Sequence, residues 1–101
     1  MGPYYSPEDY GLTIVAEVNT DEAYQFDQVV IWRDLHGALW GAHDSGCSCP
    51  TPFEDVKYPD GMMSIKTLDD VRPLLDKLSS YTDLPAVKIF DFIGKLRAAL
   101  A

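Results

Sequence analysis

Cys47 and Cys49 stand one residue apart, with His43 and Asp44 just before them and Glu54 and Asp55 just after. Three chemistries suit such a cluster. Zinc takes four nitrogen, sulfur or oxygen ligands in a tetrahedron, and His43, Asp44, Cys47 and Cys49 lie within seven residues. Structural zinc sites generally pair two such clusters at wider spacing, and the chain has one. A thiolate at Cys47, encouraged by His43 and nearby backbone N–H groups, would be a nucleophile or redox centre. Asp44, Glu54 and Asp55 work against it, because negative charge raises a thiol pKa. No third residue in the sequence stands out to orient His43 as a base. In the third reading the two cysteines are small buried hydrophobes. Pro50 and Pro52 then stiffen the segment and Phe53 anchors its far end, making a strap between sheet and helices.

The elements that must position this cluster are legible on either side of it. Residues 1–11, with Pro3, Pro7 and Gly11, read as an irregular leader whose Tyr4, Tyr5 and Tyr10 suit packing on the body. Leu12 to Val18 alternates as a strand, with Leu12, Ile14, Ala16 and Val18 predicted on one face. Gln28 to Arg33 is β-branched and aromatic, and Ala38 to His43 returns as its partner after the Asp34–Gly37 turn. The segment from Asp44 to Glu54 reads as a loop. Met62 to Ile65 adds a short edge strand.

The period then changes. Leu68, Val71, Leu74, Leu75, Leu78 and Tyr81 recur at helical spacing, with Asp69 or Asp70 as N-cap and Pro73 in the first turn. A second helix follows Asp83 and Pro85, its stripe predicted at Ala86, Ile89, Phe90, Ile93, Leu96 and Leu100. Gly94 implies close approach of another element. The expected fold is therefore α+β in one domain over residues 1–101. The leader (1–11) precedes a three- to four-stranded antiparallel sheet with the Cys loop (12–66). A C-terminal antiparallel helix pair (67–101) packs on one face.

Charge is divided along the chain. Residues 1–60 hold eleven acids against Arg33 and Lys57, a net −9, while residues 61–101 hold six bases and five acids, a net +1. Such an acidic half repels phosphate and argues against direct nucleic-acid binding. It suits a solubilising surface or a basic protein partner. No apolar run reaches the roughly 20 residues a membrane span needs. The N-terminus lacks the basic and apolar regions of a signal peptide, so the sequence points away from the membrane. The spacing of Asp21, Glu22 and Asp27 is not that of a calcium loop.

The run Val30-Ile31-Trp32-Arg33-Asp34 through Leu39-Trp40, continuing into Asp44-Ser45-Gly46-Cys47-Ser48-Cys49-Pro50-Thr51-Pro52-Phe53-Glu54, resembles a family of small proteins. They are encoded by actinobacteriophages and their actinobacterial hosts, and the resemblance covers residues 24–55. It implies a protein of the host-cell cytoplasm, where a reducing environment keeps thiols free. It carries no mechanism. With no catalytic constellation, the expectation is a non-catalytic interaction protein without a cofactor, a phage accessory factor that binds a host or phage protein. Its expected contact set is Trp40, Ser45, Cys47, Cys49, Pro50, Pro52 and Phe53. The alternatives are a small zinc domain built on His43, Cys47 and Cys49, with Asp44 as a further donor, a virion decoration component, and a thiol-dependent activity. Oligomeric state is left open.

Overall fold

The computed structural model describes residues 2–19, 25–47, 53, 56–58, 60–78 and 85–101, giving the backbone alone at Gln25, Phe26 and Cys47. Strands β1 (Thr13–Asn19), β2 (Gln25–Arg33), β3 (Leu39–Cys47) and β4 (Met63–Ile65) form an antiparallel meander in sequence order. A 3-10 turn (Leu68–Val71), a single α-turn α1 (Arg72–Leu75) and the long helix α2 (Ala86–Leu100) complete the described elements. The architecture is α+β, as the pattern of alternation followed by helical spacing requires. Among the described residues α2 is the one long helix.

β2 and β3 are longer than their apolar cores suggest. The ladder runs unbroken from Arg33–Leu39 to Gln25–Cys47, so Asp44, Ser45, Gly46 and the Cys47 backbone belong to a strand and not to a loop. Pairing with Gln25 to Gln28 satisfies their backbone groups, which overrides the weak strand propensity of Asp, Ser and Gly. The turn is built by Asp34. Its Oδ1 accepts the backbone N–H of His36 at 2.8 Å and of Ala38 at 2.9 Å, and Gly37 takes φ +85°.

β1 departs from simple alternation. Its register with β2 shifts between Ile14 and Ala16, so that Ile14 faces Trp32 whereas Ala16 and Val18 pair with Ile31 and Val29. A bulge at Val15 has flipped the face in mid-strand. Leu12 and Ile14 therefore join one apolar cluster, and Ala16 and Val18 the other.

On the first face, Ala16, Val18, Val29, Ile31, Leu39 and Ile65 meet Val71, Leu74, Leu75, Leu78, Phe92 and Leu96. Gly41 lets this layer close. A Cβ there would lie 2.8 Å from Leu74 Cδ1 and 2.9 Å from Ile31 Cδ1. The 3-10 turn is capped by Thr67, in a capping box with Asp70, and not by Asp69 or Asp70. Asp70 instead accepts the backbone N–H groups of Lys66 and Thr67, which hold its carboxyl below the usual range. Pro73 sits in the first turn of α1 as expected. Pro85 is the N-cap of α2, and Asp83 and Tyr81 lie outside the described residues.

The stripe of α2 is phased differently from the sequence expectation. Phe92 and Leu96 are buried, with Ile89, Ile93, Ala99 and Leu100 beside them, whereas Ala86 is exposed and Phe90 is 73% exposed. Two phenylalanines two residues apart cannot share one helical face, and Phe92 lies in line with Ile89 and Leu96. A Cβ at Gly94 would meet nothing within 4 Å among the described residues, so none of the described elements approaches it.

The second face is covered too, by the leader and by Phe53. Pro3 is buried, and its carbonyl accepts the Trp32 indole N–H at 3.1 Å. The Tyr4 hydroxyl donates to Glu17 Oε1 at 2.8 Å. Burial, followed by the bond to Glu17 and its negative charge, pushes the Tyr4 phenol up to about 12. The folded state thus favours the protonated phenol. Its contribution is complete below the ordinary value of 10.0 and is lost as pH rises toward about 12. Tyr4→Phe should therefore remove one late step from the tyrosinate absorbance titration and flatten the alkaline loss of leader docking, followed by Trp32 fluorescence. Identical titration curves for the two proteins would show that Tyr4 does not hold the leader.

Candidate functional site

The central hairpin places two side-chain groups on opposite faces of β3. Val29 pairs with His43 and Gln28 with Asp44, so His43 shares the helix-covered face of Val29 while Asp44 shares the leader-covered face. The two residues proposed as co-ligands of one metal therefore do not converge. Each is engaged elsewhere.

Asp44 is a clamp. Its Oδ2 accepts the backbone N–H of Phe53 at 2.8 Å, and its Oδ1 accepts its neighbour Ser45 N–H at 3.0 Å. Phe53 is fully buried, edge-on to Trp32 with ring centroids 5.3 Å apart and tilted against Tyr4 at 5.9 Å. Its φ of +63° is the left-handed conformation a non-glycine residue seldom adopts. Burial of the ring and the bond to Asp44 hold it there. Phe53 is thus a core residue joining the strap to the sheet, and is not displayed for contact. Phe53 is buried as an anchor would be, but on the leader-covered face and not toward the helices to which the sequence reading tied it.

His43 has a different partner. Its Nε2 donates to Asp27 Oδ1 at 2.6 Å, with both side chains largely buried. Because a carboxylate only accepts, Nε2 carries the proton and Nδ1 is the remaining ring nitrogen. Asp27 is the orienting residue the sequence reading lacked. The alternation Asp27, Val29, Ile31 carried the signal, since it sets Asp27 on the inner face diagonally across from His43. Ser45, directly opposite Asp27, is exposed.

Trp32 and Trp40 are direct cross-strand partners. Trp32 is fully buried, and Trp40 is half-buried. The Trp40 indole N–H donates to Asp34 Oδ2 at 3.0 Å, and the Tyr58 hydroxyl donates to the same oxygen at 3.2 Å. The Trp40 bond is the largest influence holding the Asp34 carboxyl below its ordinary range, with the Ala38, His36 and Tyr58 bonds adding to it. Partial burial, and then the Asp34 charge, raise the Tyr58 phenol. Trp40 and Tyr58 also meet edge-on at 5.6 Å. One carboxylate therefore organises the hairpin tip and fixes the exposed edge of Trp40.

Of the expected contact set, Trp40 and Ser45 are at least partly exposed and Phe53 is internal. Cys47 closes β3 opposite Gln25, its side chain outside the description. Cys49, Pro50 and Pro52 lie outside the described residues. Among the described residues no group of three or more metal-ligating side chains is assembled, and no helix is long and apolar enough to cross a membrane.

Fold and site together define a small α+β scaffold whose sheet is covered by helical residues on one face and by the leader and Phe53 on the other. The chain belongs to a family described as a domain of unknown function, DUF7574, whose model matches residues 1–93. Searches of curated proteins and of solved structures return no match.

The clamp makes a direct prediction. Asp44→Ala should lower stability by about 1–3 kcal/mol through the unpaired Phe53 N–H, and Phe53→Ala by about 3–5 kcal/mol, both read from urea unfolding. An Asp44→Ala protein that unfolds at the same midpoint as its parent would remove Asp44 from the clamp.

Proposed function

We propose that this protein is a non-catalytic interaction module, a phage accessory protein that binds a host or phage protein through the strap and the acidic sheet half. The observation that carries the reading is the Asp44–Phe53 clamp. It ties the far end of the segment between β3 and Phe53 to the sheet, and β3 itself holds the near end. A segment tethered at both ends on a rigid sheet loses less entropy on binding than a free loop does. The leader and the segment before β4 carry the exposed acids Glu8, Asp9 and Asp60, which favour a partner with a basic surface. The phage assignment rests on the resemblance across residues 24–55.

The protein bearing Ser45→Arg should lose a partner that the parent protein captures from actinobacterial lysate, with its circular dichroism unchanged. Capture should also weaken as salt rises. A captured set unchanged by Ser45→Arg and indifferent to salt would end this reading.

Zinc binding, for which the sequence offers His43, Cys47 and Cys49, is the second reading. It is reduced to His43 and Cys49, because Cys47 stands four residues, roughly 13 Å, along the same extended strand from His43. One observation favours it. An imidazole oriented by a carboxylate on one nitrogen, as Asp27 orients His43, is the usual arrangement around metal-bound histidine. Asp44 has no place in that set. Protein purified without chelator should then hold one zinc per chain and release it on Cys49→Ser. Zinc far below that ratio, unchanged by the substitution, would dismiss the second reading.

A further inference from the structure

β1 is an edge strand, and α2 packs against it more than against any other strand. Among the described residues, Thr13 to Val18 make no backbone hydrogen bonds beyond their ladder with β2. The outward N–H and C=O groups of this edge are a template for another strand. Beyond the bulge, Ala16 to Asn19 pair regularly with Gln28 to Ile31, so this half of the edge keeps strand geometry.

An open groove of about 300 Å³ runs beside this edge, lined by Glu17, Val18 and Asn19 from β1 and by Lys88, Asp91 and Lys95 from α2. Its helical wall reads plus, minus, plus. Asp91 and Lys95 are one turn apart, exposed, and paired at 3.1 Å. Such an i,i+4 pair is self-complementary when two helices run antiparallel. A two-fold axis level with residue 93 brings each Asp91 to the other copy's Lys95, and each Lys95 to the other's Asp91. The same axis, standing normal to the sheet, sets two β1 edges antiparallel and both helices on one face.

We propose that the β1 edge and the adjoining wall of α2 form a homodimer interface, in which a second copy pairs β1 to β1 and Asp91 to Lys95 reciprocally about a two-fold axis. The interface joins two four-stranded sheets into one of eight strands and closes both exposed edges of β1. It is isologous, as a C2 contact must be. The binding surface proposed above rests on the Asp44–Phe53 clamp and the central hairpin and not on the free edge of β1, so the dimer would present it twice.

Sedimentation of the full chain across a concentration series tests the arrangement. The parent should dimerise, and Asp91→Lys or Lys95→Asp alone should weaken the dimer about tenfold or more, because each places like charges together twice. The double variant Asp91→Lys/Lys95→Asp restores both reciprocal pairs and should recover the parent's affinity. Amide exchange within Thr13 to Val18 should slow as the dimer forms. Circular dichroism of each variant confirms that α2 persists. A chain that is monomeric throughout, a dimer indifferent to both single reversals, or a dimer whose β1 amides exchange unchanged would each overturn the proposal.

Discussion

The nine residue pairs between β2 and β3 run without interruption, and both apolar layers depend on their register. Val29 and Ile31 point into the helix-covered layer, while Val30 and Trp32 point into the leader-covered one, and all four are fully buried. A slip of one residue would exchange the two sets and send Asp27 and His43 to the wrong side. Asp34 sets that register at the turn, through two backbone N–H groups on one oxygen and the Trp40 and Tyr58 side chains on the other. Gly41 then admits Leu74 to the sheet at a point where any side chain would obstruct it.

The layer opposite the helices shows how a short chain covers a second face without a second set of helices. Large aromatic side chains supply most of the area: Trp32 and Phe53 at the centre, Tyr4 over them, and Trp40 with Tyr58 at the hairpin end. Two main-chain groups pin the covering segments, the Pro3 carbonyl on the Trp32 indole and the Phe53 N–H on Asp44. The leader meets Phe53 through the Tyr4 ring.

The charge distribution follows the layers of the fold less than it follows the chain. Eleven of the sixteen acids lie in residues 1–60, and six of the eight bases lie in residues 61–101. Two of the acids are tied to internal contacts. Asp27 is spent on His43 and Asp44 on Phe53, each holding an internal contact that an amide or alkyl side chain would not reproduce as well.

Alternation in β2 and β3, the Asp34–Gly37 turn and the change of period after residue 66 determined the α+β class and most element positions from sequence alone. These are local signals, set by the chain's own stereochemistry. Tertiary structure decided what depends on neighbours distant in sequence. The bulge at Val15 divided β1 between two cores because β2 presents apolar residues on both faces. Packing on Ala16 and Val18 chose Phe92 over Phe90, although the two are alike in type and nearly adjacent. Pairing with Gln25 to Gln28 drew Asp44 to Cys47 into a strand, and so turned His43 and Asp44 to opposite faces. A cluster that looks compact in sequence was separated because successive residues of a strand point apart, and only cross-strand partners could show where each one went.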